Sequence, residues 1–231
     1  MKTFGRAIAL TAALTMALVI SACGGSGSQA ASSAASSGSA SASTSASAAS
    51  TASDASSTSA SSASTPTVKG AISGDTYAND YFKVQFKLPE GFKFYTADQL
   101  AELNGGDLTN EQAVERLQQG AEYFDAAASF GDAYPTVSIS VVYAGTPEAK
   151  ALDADGFAKY MATGSGEAGT YKNNESGDEF AAMKRSVLVN GQTFTQQALI
   201  EKQGDYFLVA TATSADGAGL DELLCNVTRT K

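Results

Sequence analysis

Residues 183–213 read "MKRSVLVNGQTFTQQALIEKQGDYFLVATAT", and the two turns inside this stretch decide the fold. Asn190-Gly191 is the strongest short hairpin signal in the chain, because a tight two-residue turn needs positive φ at both positions and Asn and Gly tolerate it. Gly204-Asp205 marks a second turn. Three strands follow: Met183 to Val189, Thr193 to Lys202, and Tyr206 to Thr213. Strands joined by turns this short run antiparallel. An antiparallel sheet is therefore the expected centre of the domain.

Working outward, Asp153 can cap a helix whose apolar face is Phe157, Tyr160 and Met161. Residues 164–179 are polar and Gly-rich and read as an exposed loop. Two more strands, Tyr123 to Phe130 and Thr136 to Tyr143, join around Gly131-Asp132; in the second, Val137, Ile139, Val141 and Tyr143 alternate with Ser138, Ser140 and Val142. A helix from Asn110 puts Ala113, Val114 and Leu117 on one face, and an earlier one, N-capped by Thr96, carries Leu100 and Leu103 and ends at Gly105. In "YFKVQFKL" (Tyr81 to Leu88), Phe82, Val84, Phe86 and Leu88 face one way, the period-2 pattern of a half-buried strand. Pro89-Glu90-Gly91 then turns the chain so that "FKFY" returns as a short second strand. Leu220, Leu223, Leu224 and Val227 have the spacing of a closing amphipathic helix. The fold class is thus α+β: one domain over residues 70–231, with an antiparallel β-sheet flanked by helices.

A strand ending "KLPEGF" and preceded by "YAND", a mid-chain hairpin, the late pair "VNGQTF…YFLVATAT" and a final amphipathic helix together resemble a PsbP-like sandwich. The resemblance covers residues 75 to 230. It implies an α/β/α layout and a protein-binding or accessory role, and it supplies no catalytic residue. Plant-type PsbP proteins act at photosystem II, and nothing in this sequence supports moving that role across.

The amino-terminal third is of another kind. Lys2 and Arg6 precede an uncharged, mostly apolar run from Ala7 to Ile20, the order of a secretory signal. The run is shorter than the ~20 residues that a membrane-spanning helix needs. It ends in Ile20-Ser21-Ala22-Cys23, which resembles the bacterial lipobox. That resemblance implies residues 1–22 as a signal peptide, cleavage before Cys23, and a diacylglyceryl group on the Cys23 thiol. Ordinary signal cleavage after Ala22 is the competing reading, but bulky Ile20 stands where a small residue is favoured. Residues 23–69 then form the lipidated cysteine and a low-complexity tether; from Gly24 to about Thr67 it is almost wholly Ser, Ala, Thr and Gly, with Asp54 its one charge. Such a segment cannot offset a backbone ordering cost of roughly 1–2 kcal/mol per residue and is expected to be disordered. As a flexible coil it reaches roughly 35 Å.

Residues 70–231 carry 12 Lys and Arg against 23 Asp and Glu, a net charge of −11. Nucleic acid, which requires a basic footprint, is excluded as a partner. The chain has no histidine, which removes Ser-His and Cys-His nucleophile pairs and the commonest zinc ligand. Cys225 reads as a small apolar residue on the last helix, with Arg229 as its one local basic neighbour. The acidic stretches "NNESGDE" (Asn173 to Glu179) and "DADG" (Asp153 to Gly156) lack the ligand spacing of a calcium loop, so no metal and no cofactor is expected. Asn226-Val227-Thr228 matches a glycosylation sequon that a bacterial lipoprotein has no reason to use. Tyr81, Tyr95 and Tyr143 lie on or beside the sheet and Tyr171 in the exposed loop, as edge cover or as binding anchors.

The sequence therefore predicts a lipid-anchored protein on the outer, extracytoplasmic face of the cell membrane. Its expected partners are the membrane, through lipid on Cys23, and another envelope protein or a wall polymer. A non-enzymatic binding or accessory module is the expectation. The alternative is an envelope hydrolase using a carboxylate pair, and oligomeric state is left open.

Overall fold

The computed structural model describes residues 65–131 and 133–230. The signal peptide, Cys23 and the tether up to residue 64 lie outside the described residues. The elements, in chain order, are β1 (Ala71–Ser73), β2 (Thr76–Asn79), β3 (Val84–Lys87), β4 (Phe92–Phe94), α1 (Ala97–Asn104), α2 (Asn110–Gln118), β5 (Tyr123–Phe130), β6 (Ala133–Tyr143), α3 (Pro147–Ala151), α4 (Ala154–Met161), β7 (Gly166–Lys172), β8 (Glu179–Val189), β9 (Gln192–Gln203), β10 (Tyr206–Ser214), α5 (Leu220–Leu224) and β11 (Val227–Arg229). The class is α+β. A seven-stranded antiparallel sheet runs in the order β4-β5-β6-β10-β9-β8-β7, and a smaller sheet in the order β1-β2-β3-β11.

The meander β8-β9-β10 forms as its turns dictate. Asn190 and Gly191 take φ of 51° and 82°, and Val189 pairs directly with Gln192 across them. Strand β10 is buried along its whole length because both its faces are covered. On one face Leu208, Ala210 and Ala212 join a core completed by α2 (Ala113, Val114, Leu117), α5 (Leu220, Leu223, Leu224) and the small sheet (Tyr77, Val84, Phe86). On the other, Phe207 and Val209 pack with Ile200 and Met183 under Phe157, Ala158 and Met161 of α4. The helix ends read from the sequence hold: Thr96 and Asp153 each accept a backbone N–H as N-caps and Gly105 takes a left-handed C-cap, and Thr109 caps α2 in the same way.

Five expectations need correcting. Tyr81 to Lys83 do not extend the third strand, because Lys83 takes φ of 57° and bends the chain before Val84, although Phe82 still points inward. Strand β4 does not return alongside β3; it pairs with β5 at the edge of the other sheet. The loop expected over residues 164–179 contains β7, which is Gly-rich and polar because it is an edge strand exposed along most of its length. The closing helix stops at Leu224; Val227 reaches the core from β11, a strand that covers the open edge of β3. Tyr160, expected on the apolar face of its helix, is 45% exposed.

Two buried polar residues join the ends of the folded region to its middle. Asp125, at a bulge in β5, accepts on one oxygen from the Gly70 N–H (2.6 Å), the Tyr77 hydroxyl (2.6 Å) and the Asn79 amide (3.1 Å). Asn79 also donates to the Val68 carbonyl, while the Asn110 side chain accepts from Val68 N–H and donates to the Pro66 carbonyl. Val68, which the sequence places in the tether, is thereby fully buried. At the other end, the Asn173 amide donates to the Cys225 and Val227 carbonyls and holds β11 in place. Replacing Asp125 leaves the Gly70 N–H and the Tyr77 hydroxyl without their acceptor, while Asn79 keeps the Val68 carbonyl, and each orphaned group costs about 1–3 kcal/mol. Asp125→Ala is expected to lower unfolding free energy by about 3 kcal/mol, read from urea titration, while exposed Asp80→Ala shifts it by less than about 0.5 kcal/mol.

Candidate functional site

Strand register assembles a polar row that no single segment of sequence contains. Lys93, Ser129, Thr136, Thr213, Gln196 and Arg185 stand opposite one another across β4, β5, β6, β10, β9 and β8. The Arg185 guanidinium donates to the Gln196 side-chain oxygen at 3.1 Å, and the Gln196 amide donates to the Thr213 hydroxyl at 3.3 Å. This is the face of the large sheet that α4 covers elsewhere, but α4 reaches only the rows around Met183, Ala198 and Ile200. Gln196, Thr211, Thr213 and Ser140 form a buried floor, Ser129, Thr136 and Arg185 are half-buried, and Lys93 is exposed. The Tyr134 and Phe194 rings, 4.4 Å apart, close one side.

Glu122, one residue before β5, lies beside Ser140 on the same face. Burial raises its carboxyl above the ordinary range, against the pull of the Ser140 hydroxyl and of the Arg185 guanidinium. Burial in turn lowers Arg185, with Glu122 acting the other way. Glu122 and Arg185 thus face the same side of the large sheet, beside its polar row. The Glu122 Oε2 atom is buried with no hydrogen-bond partner among the described residues. A buried acceptor without a donor is costly, and a carboxyl shifted by burial beside a specific cation is a recognisable mark of a functional site.

What this arrangement can do is bind. Its floor offers hydroxyl and amide groups that both donate and accept, with one guanidinium and one carboxyl oxygen that lacks a donor beside it. The other strongly buried carboxyl, Asp125, faces Tyr77 and Asn79 in the small sheet, on the opposite side of β5. Glu122 and Asp125 therefore do not share a cleft.

The residues singled out in the sequence fall elsewhere. Cys225 is the partly buried C-cap of α5; its thiol is raised by burial and by Glu175, Glu222 and Asp221, and it donates to the Glu222 carbonyl. Arg229 does not approach it closely as a partner; its guanidinium pairs with Glu201 at 2.6 Å and covers the Phe180 ring. The acidic turn Asn173 to Glu179 is internally bonded, with Asn173 accepting from Glu175 and Ser176 N–H and Asp178 accepting from Arg229 N–H. Asn226 of the sequon turns back onto the Glu222 carbonyl. Tyr81 and Tyr143 come together around Tyr206, at 6.1 and 5.2 Å, with Lys150 over Tyr143 and paired to Asp205. Tyr171 sits on β7 and donates to the Asp221 carbonyl. Tyr95 continues the β4–β5 ladder through its N–H to Ala127. Glu122, Arg185 and Gln196 were not singled out by sequence reasoning, because only strand register brings them together; the one local signal was polar residues at positions inside strands.

No protein-family model and no curated protein matches the sequence. Among solved structures, the chain is similar to the cyanobacterial PsbP protein CyanoP of Synechocystis, at 12% identity over 67% of this chain and 91% of that one, with a TM-score of 0.40. It is also similar to a crystal structure from Bacteroides thetaiotaomicron, at 13% identity over 69% of this chain and 50% of that one, with a TM-score of 0.38. The chain thus spans half the length of the Bacteroides protein it matches. Neither likeness assigns a role to any residue here.

The raised Glu122 carboxyl has a thermodynamic consequence. A carboxyl whose folded-state value lies above its unfolded value binds protons preferentially in the folded state. Its burial is tolerated at acidic pH and becomes destabilising as pH rises from the unfolded value of 4.5 through the raised folded value. Glu122→Gln should therefore gain stability relative to the parent as pH rises above about 4.5, and the gain should vanish below that. Urea titrations of both proteins across pH 4 to 8 measure it.

Proposed function

We propose that this chain is a lipid-anchored, extracytoplasmic binding or accessory module of the bacterial cell envelope, held to the membrane through Cys23 and displayed on its Ser/Ala stalk. The observation that carries the binding half of this reading is the polar row through Gln196 and Thr213, on the same face as a buried carboxyl oxygen of Glu122 that has no donor among the described residues. A partner that brings an N–H or O–H to that oxygen and hydrogen-bonds along the row would complete it. The partner classes that suit a stalk-borne domain are another envelope protein or a wall polymer. The acidic surface, at −11 for residues 70–231, turns away polyanions.

The anchoring half is supported by the lipobox-like Ile20-Ser21-Ala22-Cys23 at the end of the apolar run Ala7 to Ile20. Two acyl chains suffice for lasting attachment at ~0.8 kcal/mol per buried methylene. Fractionation of cells expressing Cys23→Ala should move the protein out of the membrane pellet; a variant that stays bound as tightly as the parent rules the lipid out.

A crosslinked pull-down from envelope extract, with the full chain as bait, tests the binding half. The parent should enrich a protein or glycan that Arg185→Glu fails to retain. Repeated recovery of nothing, or equal recovery by both baits, overturns the polar row as the binding site.

A further inference from the structure

We draw no further inference here: the strongest candidate, the patch on the α4 side of the large sheet where half-buried Thr136 and Ser138 follow Tyr134 along β6 and the Tyr134 ring packs on Phe194, belongs to the polar row already described, and nothing in the structure shows what covers it.

Discussion

The Asp125 carboxylate takes three donors on a single oxygen inside the protein, and the start of the folded region depends on it. Each donor comes from a different part of the chain's beginning: the Gly70 backbone, the Tyr77 ring and the Asn79 amide. Burial alone would raise the carboxyl, and these three hydrogen bonds, with nearby Lys69, act against that rise. Tyr77 is raised by the same burial and by the charge it faces. The arrangement converts a sequence that is nearly featureless up to Thr67 into a fixed strap within a few residues.

The same strand organises the other polar feature. Asp125 sits where β5 slips register against β6, and the slip lets neighbouring side chains serve both sides of the sheet. Tyr123 and Ala126 go to the main core, and Glu122 goes to the other face beside Ser140. One face of the sheet is thus closed by the small sheet and two helices, while the other is closed by α4 only in part. The polar row belongs to that less covered half, whereas β7 lies against α4. The polar floor is held by its own hydrogen bonds, from Arg185 to Gln196 and from Gln196 to Thr213.

Much of this was legible in the sequence because local chemistry decided it. The Asn190-Gly191 turn, the Thr96 and Asp153 caps and the β5 limits each depend on residues within a few positions of one another. What was not legible depends on partners far away in the chain. Strand β7 has no alternation to read because neither of its faces is fully buried, and Val227 fits a leucine-like helical spacing while its place is set by pairing with Phe86. The bend at Lys83 left no mark in an otherwise regular alternation. The polar row is the extreme case: Lys93 and Arg185 are 92 positions apart, and only the order of six strands puts them in one row.

The central claim is that the folded unit begins at Val68 because Asp125 and its partners fix the strap. Native-state hydrogen exchange, followed residue by residue, reads this directly at the Val68 and Gly70 amides, which donate to Asn110 and Asp125. Both amides should exchange as slowly as those of β5, opening only with the whole domain. Exchange at the rate of the Ser/Ala stalk, with β5 still protected, would contradict the account.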